Sequence, residues 1–141
     1  MTTIIATIKP QHLGNIRSGK KVYEIRKTAP KAELPIRVLC CESGSGGQIK
    51  CEFTIDHIVE DSLDALYKRS PSILPFHNLI GTCLTVGELQ NYVNRSLTQP
   101  YYMWHITNMI DYCSAKGCRV RNISEFGLTR PPQSWQYMEE G

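Results

Sequence analysis

The feature that most constrains the fold is a pair of strand-like segments joined by a short glycine-rich turn. Residues 35–41 form a mostly apolar run, residues 43–47 read Ser-Gly-Ser-Gly-Gly, and residues 48–59 return as a second, longer run. Two such runs separated by a short glycine-containing loop are typical of a β-hairpin. The sequence therefore predicts a long antiparallel hairpin.

Further strand-like segments surround this hairpin. They are residues 3–8, 22–27, 101–110 and 135–138. Residues 22–27 alternate as a half-buried strand does, so that Tyr23 and Ile25 share one face while Glu24 and Arg26 share the other. Tyr102, Trp104 and Ile106 likewise share one face of their strand, where core packing is the preferred interpretation.

Helix signals are fewer and are carried by capping residues. Pro10 suits the first turn of a helix that reaches about residue 17, with Gly19 as its left-handed cap. Ser62 caps a short second helix. Thr85 and Glu88 have the spacing of a capping box and predict a third helix.

Strands outnumber helices, and their connections are predicted to be antiparallel. A partly closed barrel removes the exposed edges of such a sheet. We therefore expect an α+β fold, a partly closed antiparallel β-barrel with flanking helices. Its 141 residues suit a single domain spanning 1–141.

Composition and cysteine content indicate a reduced protein inside the cell. The longest apolar stretches are too short for a membrane span, and residues 1–6 lack the basic region of a secretion signal. We expect a cytoplasmic protein without a membrane partner. Cys40, Cys41 and Cys51 lie in strand-like runs, where cysteine behaves as a small buried hydrophobe. Cys113 and Cys118 lack a second close pair, so no metal and no cofactor are predicted.

Charge is unevenly distributed along a chain whose net charge is only +3. Within residues 1–31 a single acid, Glu24, stands among these basic residues: Lys9, Arg17, Lys20, Lys21, Arg26, Lys27 and Lys31. Such a segment provides a locally basic face for a phosphate-bearing ligand, and it does not discriminate RNA from DNA. A solvated surface of mixed charge is the alternative interpretation.

The candidate site is the segment around Lys21, Glu24 and Arg26. The chain has no phosphate-binding loop, dinucleotide fingerprint, nucleophile elbow or His-Glu-x-x-His motif, and its four histidines lack metal-site spacing. A turn delivers Lys21 to the start of a strand from which Glu24 and Arg26 project on one side. Three such groups can bind a polar ligand, and their electrostatic coupling can shift the pKa of Lys21 or Glu24 to a value suited to proton transfer. A ladder of surface ion pairs is the competing interpretation.

Three segments together resemble the ASCH family, whose domains are relatives of the PUA RNA-binding domains. They are Ile8-Lys9-Pro10, then Ser18-Gly19-x-Lys21-x-Tyr23-Glu24-x-Arg26, and finally Phe126-Gly127-Leu128-x-Arg130-Pro131-Pro132-Gln133-Ser134-Trp135. The resemblance spans nearly the whole chain. It implies a PUA-like barrel with helices around a central cleft.

The same resemblance implies the ligand and the residues that hold it. The expected partner is RNA or a modified nucleoside or nucleotide. The implied ligand-binding residues are Lys9, Lys21, Glu24, Arg26, Arg130, Gln133 and Ser134. The residues indicate no oligomeric state.

Two functions of different classes fit this pattern, and the binding module is preferred. In it the cleft holds a base or a short RNA, with aromatic side chains as stacking surface; the candidates are Tyr23, Tyr101, Tyr102, Trp104 and Trp135. A regulatory role is common in the family. The alternative is a small metal-independent hydrolase, either an amidohydrolase of an acylated nucleoside such as acetylcytidine or a ribonuclease. Lys21 and Glu24 would then be catalytic. In the family's amidohydrolase pattern, however, a threonine stands where this chain has Glu24.

Overall fold

The sheet accounts for most of the regular secondary structure. The structure, a computed structural model, describes residues 1–94, 96–114 and 116–138. Within these ranges the strands are β1 (Thr2–Ile8), β2 (Tyr23–Arg26), β3 (Ile36–Glu42), β4 (Gln48–Asp61), β5 (Asn78–Leu79), β6 (Leu84–Thr85), β7 (Tyr101–Asp111), β8 (Arg121–Asn122) and β9 (Trp135–Tyr137). The α-helices are α1 (Pro10–Arg17), α2 (Leu63–Arg69) and α3 (Val86–Val93), and residues Ile123–Phe126 form a 3₁₀ turn.

The strands form a curled half-barrel whose order is β2-β7-β4-β3-β1-β9, with β8 paired to β4. The expected α+β class, with a partly closed barrel and flanking helices, is confirmed. The sheet is mixed rather than wholly antiparallel, because β1 and β3 pair in parallel. Parallel neighbours need a long crossover, which α1 and β2 supply between them. The remaining pairs of this sheet are antiparallel.

The predicted hairpin is present as β3 and β4. Its register pairs Ile36 with Ile55, and a bulge follows the pair of Cys40 and Cys51. Both of these thiols and that of Cys41 are buried, as expected for cysteines in apolar strands. The hairpin therefore supplies the central part of the core.

The three helices begin at the predicted capping residues. Pro10 occupies the first turn of α1, and the Ser62 hydroxyl accepts a hydrogen bond from the backbone N–H of Ala65 at the start of α2. Thr85 and Glu88 form both hydrogen bonds of the capping box on α3. No helix among residues 1–94, 96–114 and 116–138 is long and apolar enough to cross a membrane.

Two apolar clusters pack against β7. One joins α1 to β1, β3 and β4 around Trp104 of β7, which is fully buried. A second joins α2 and α3 to β2 and β7 through Ile25 and Tyr101. Strand β7 therefore contributes to both clusters, and β2 is anchored in the second through Ile25.

Candidate ligand cleft

A cavity of about 730 Å³ opens between α1, α3, β2 and the segment that precedes β9. Its lining is rich in charged and polar groups. The described residues that line it are Thr7, Ile8, Lys9, Gln11, His12, Lys21, Glu24, Ile25, Arg26, Lys27, Ser43, Leu84, Glu88, Asn91, Tyr92, Gln133 and Ser134. We call this cavity the cleft. Six of the seven residues predicted from the sequence to bind ligand border it.

Lys21 reaches the cleft through the turn that follows α1. Gly19 adopts a φ of +81°, and the backbone N–H of Lys21 then donates to the carbonyl of Asn15. The Lys21 side chain is only 2% exposed, and its Nζ donates to the backbone carbonyl of Thr82. Burial lowers the pKa of this ammonium group, and the nearby charge of Glu24 only partly offsets that effect. A desolvated lysine of this kind gives up its proton more readily than a surface lysine.

Glu24 projects into the cleft from the middle of β2, where its backbone pairs with that of Trp104. The residue is 6% exposed, and its Oε1 lies 3.9 Å from Nε of Arg26. Its Oε2 is buried without a hydrogen-bond partner. A buried carboxylate oxygen without a partner carries a desolvation cost that a ligand donor would relieve.

Arg26 ties β2 to the opposite wall of the cleft. Its Nη1 donates to Oγ of Ser134 at 3.1 Å and to the Ser134 carbonyl at 3.3 Å. Its Nη2 donates to the carbonyl of Thr7 at 2.9 Å, and its guanidinium lies over the Trp104 ring. Most of the N–H donors of Arg26 therefore form hydrogen bonds within the protein and are not free for a ligand. Arg26 therefore positions the Ser134 segment and adds positive charge beside Glu24.

His12 is a cleft residue that sequence reasoning missed, because an isolated histidine next to Pro10 shows no metal or catalytic spacing. Its Nδ1 is buried without a hydrogen-bond partner. Burial, and then the charge of Lys21, lower the pKa of this imidazole, so the ring is neutral at neutral pH. The cleft therefore contains a second buried polar atom that a ligand could pair.

One face of α3 supplies the remaining polar lining. Glu88, Asn91 and Tyr92 are three and four residues apart, so they share that face. The sequence shows the spacing of these residues, but only the fold shows that the face they share borders the cleft. Lys27 lies at the rim, with Nζ 5.3 Å from the centre of the Tyr92 ring.

The other predicted site residues differ in how closely they approach the cleft. Lys9 and Gln133 are at its border, Lys9 exposed and Gln133 close to Ser134. Arg130 is also exposed, but it does not line the cavity.

None of the five aromatic residues predicted as stacking surface lines the cavity, and among them Tyr101 and Trp104 are buried in the core. Core packing at Trp104 is therefore confirmed. The aromatic ring that borders the cleft is that of Tyr92.

Solved structures with the same fold come from an ASCH protein of Zymomonas mobilis. A tyrosine-to-phenylalanine variant of it superimposes with a TM-score of 0.73 at 17% identity, covering 99% of this chain and 92% of that one. The unsubstituted protein gives a TM-score of 0.72 at 17% identity, with 98% and 88% covered. This chain has the ASCH-domain fold. A serine-to-alanine variant of the same protein agrees, with a TM-score of 0.72 at 16% identity and coverage of 98% and 89%.

No protein-family model and no curated protein sequence matches the chain. The ASCH fold is therefore supported by three-dimensional similarity and by the motifs in the sequence. In this fold the first motif supplies one wall of the cleft through Lys21, Glu24 and Arg26, and the closing motif supplies the facing wall through Gln133 and Ser134.

Proposed function

We propose that the cleft of this ASCH-fold domain binds a nucleobase, presented by a modified nucleoside or by single-stranded RNA. The observation that carries the proposal is the buried, unpartnered Oε2 of Glu24 in the wall of a polar cavity. A nucleobase amino or imino group supplies the N–H donor that this oxygen lacks. Carboxylate side chains accept hydrogen bonds from the exocyclic amino group of cytosine in this way.

The size and charge of the cleft support the same ligand class. A volume of about 730 Å³ falls in the usual range for small-molecule sites, which is roughly 300 to 1,000 Å³. Lys9 and Lys27 lie at the border, where they attract a phosphate attached to the bound nucleoside. The neutral His12 ring offers a further hydrogen-bonding atom for the base edge.

Calorimetric titration with cytidine, N4-acetylcytidine, uridine and a short single-stranded RNA tests this proposal. The Glu24→Gln variant keeps the side-chain shape but replaces an acceptor oxygen by a donor. It is expected to weaken cytidine binding by about 1–3 kcal/mol, the usual value of a charge-assisted hydrogen bond. It should also narrow the preference for cytidine over uridine, because uridine presents a carbonyl acceptor at the corresponding position.

Glu33→Gln is the matched control, since Glu33 is exposed and does not line the cleft. It should bind each ligand like the wild type. Equal affinities for the wild type and Glu24→Gln would refute the proposed contact. Failure of all four ligands to bind at millimolar concentration would refute the nucleobase assignment.

The buried Lys21 favours a second candidate, hydrolysis of an amide on a modified nucleoside. In that reaction Glu24 takes a proton from water, whose oxygen adds to the amide carbonyl. Lys21 stabilises the resulting oxyanion through its positive charge. Collapse of the intermediate breaks the C–N bond, and Glu24 returns the proton to the leaving amine, so that a carboxylic acid and an amine are formed.

Turnover of N4-acetylcytidine, followed by chromatography, separates the two candidates. For a hydrolase, Glu24→Gln should lower kcat far more than it raises KM, because it removes the base and keeps the shape. For a binding module, the wild type binds the nucleoside and leaves it intact. Tight binding without product would therefore exclude this hydrolysis and retain the binding function.

A further inference from the structure

Outside the cleft, the face of β4 and β7 that contacts Tyr23 carries two imidazoles and a carboxylate. Nδ1 of His105 lies 2.7 Å from Oδ1 of Asp56, and Nδ1 of His57 lies 3.2 Å from the same oxygen. The two imidazole rings stack with their centroids 4.5 Å apart. Each of the three side chains offers one potential ligand atom, and these atoms lie within 4.8 Å of one another.

A bulge in β4 brings the three side chains together. The register pairs Ile55 with Ile106 and Ile58 with Trp104, so Asp56 and His57 both lie opposite His105. Two residues facing one residue of the neighbouring strand define a β-bulge, which redirects a side chain. Both Asp56 and His57 are consequently exposed, although successive residues of a regular strand point to opposite faces.

We propose that Asp56, His57 and His105 form a binding site for a divalent first-row transition-metal ion such as Zn²⁺. Zinc binds imidazole nitrogen and carboxylate oxygen at roughly 2.0–2.2 Å, which places tetrahedral ligand atoms about 3.3 Å apart. Relative to that spacing, the 2.7 Å contact has to lengthen by about 0.6 Å and the 3.2 Å contact by about 0.1 Å. The cluster is therefore close to the geometry of an ion-bound state.

The donor set selects the class of ion. Two imidazoles with one carboxylate suit zinc, copper or nickel, whereas magnesium and calcium prefer sites made of oxygen alone. Three protein ligands leave the fourth tetrahedral position to water. The exposure of Asp56 and His57, whose side chains are 46% and 49% accessible, leaves room for that water.

The Tyr23 ring encloses one side of the cluster, with its centroid 5.0 Å from that of His105 and 6.2 Å from that of His57. Bound metal joins β4 to β7 at the point where the bulge interrupts their hydrogen bonding. An ion that binds only the folded state stabilises it by mass action. Metal binding is therefore expected to raise the Tm of the protein.

Zinc titration by calorimetry, with Tm measured alongside, tests the site. The experiment uses a Cys113→Ser/Cys118→Ser background, because Cys113 and Cys118 are exposed and thiolates are good zinc ligands, which would confuse the stoichiometry. We expect one zinc ion per chain and a rise in Tm. His57→Ala and His105→Ala should each weaken binding by at least about tenfold, since even groups that only support a metal ligand contribute about 10- to 100-fold.

Two further variants make the test specific. Asp56→Asn keeps the size of the side chain and removes its charge, so it should weaken zinc binding while the protein stays folded. His77→Ala, which removes an exposed histidine outside the cluster, should leave zinc binding unchanged. The absorption spectrum with Co²⁺ should lack sulfur-to-metal charge transfer.

The proposal is overturned if millimolar zinc neither binds nor changes Tm. It is also overturned if His57→Ala, His105→Ala and Asp56→Asn all bind zinc like the background protein.

Discussion

Lys21 donates the hydrogen bond of its buried ammonium group to the backbone carbonyl of Thr82. Thr82 lies in the turn between β5 and β6, so this contact holds that turn against the chain that leads into β2. The same lysine faces the cleft next to Glu24. Lys21 therefore has two effects: its hydrogen bond stabilises the wall of the cleft, and its side chain contributes charge inside the cleft.

The pH dependence of stability should reveal the burial of Lys21. Its pKa in the folded protein lies below the ordinary value of 10.5, so between these two values the unfolded chain binds more protons. Stability contributed by the neutral lysine is present above pH 10.5 and is lost as pH falls through the folded-state pKa. The free energy of unfolding of the wild type should therefore rise with pH relative to that of Lys21→Met. Urea denaturation of both proteins across this range measures the difference, and a constant difference would contradict the prediction.

Gly81 should tolerate substitution poorly, because a Cβ there would lie 2.6 Å from Cγ2 of Val22. Its φ of +79° adds backbone strain for any other residue. Gly81→Ala is expected to destabilise the protein by about 1–3 kcal/mol, the usual cost of overpacking. Gly44→Ala is the control, since Gly44 has a φ of +76° but nothing within 4 Å of the position that a Cβ would take. Equal urea midpoints for the two variants would show that the clash with Val22 does not lower the free energy of unfolding.

Much of this architecture could be predicted from local sequence signals. The capping box of Thr85 and Glu88 and the alternation of Glu24 with Arg26 report interactions between residues close in the chain. The parallel pairing of β1 with β3 was missed, because alternation shows which face a residue occupies and not which strand lies beside it.

The sequence predicted that Lys21, Glu24 and Arg26 lie together, but it did not predict that they are buried. Lysine is seldom fully buried, so no local signal indicated that Lys21 lies inside the protein. Its partner, Thr82, comes from a segment without regular periodicity. His57 and His105 meet only because β4 and β7 pair with a bulge, and no spacing along the chain shows this.

Acid should weaken the contact between β3 and β4 through Glu52. Arg37 donates two hydrogen bonds of 2.8 Å to this carboxylate, and the Tyr112 hydroxyl donates one of 2.6 Å. These bonds, that of Arg37 above all, lower the pKa of Glu52 below its ordinary 4.5. The stabilisation is therefore present above pH 4.5 and is lost as pH falls through the lowered pKa.

Glu52→Gln should be less stable than the wild type by about 1–2 kcal/mol at pH 7, a typical value for hydrogen bonds to a charged group. The difference should shrink on acidification to about pH 3, as measured by urea denaturation at each pH. The free energy of unfolding of Glu33→Gln, a variant at an exposed position, should equal that of the wild type at each pH. A difference between Glu52→Gln and the wild type that persists at acid pH would assign the effect to packing instead of charge.

RNA binding at the cleft should depend only moderately on salt. The basic residues near its border can neutralise about two to four phosphates, which corresponds to a log–log slope of about −1.4 to −2.8 for single strands. Reversing charge with Lys20→Glu and Lys27→Glu should weaken binding and flatten this slope in a fluorescence anisotropy titration. A much steeper slope, or an unchanged one in the double variant, would place the RNA on another surface.

The order in which the cleft walls leave the ribosome follows from their place in the chain. Lys21, Glu24 and Arg26 are synthesised early, whereas Ser134, which accepts the hydrogen bonds of Arg26, is translated after every other lining residue. Until that segment emerges, the Arg26 guanidinium lacks its acceptors on Ser134 and the cleft lacks one side. A nascent chain that is arrested before Ser134 therefore holds Lys21, Glu24 and Arg26 without the wall that encloses them in the finished domain.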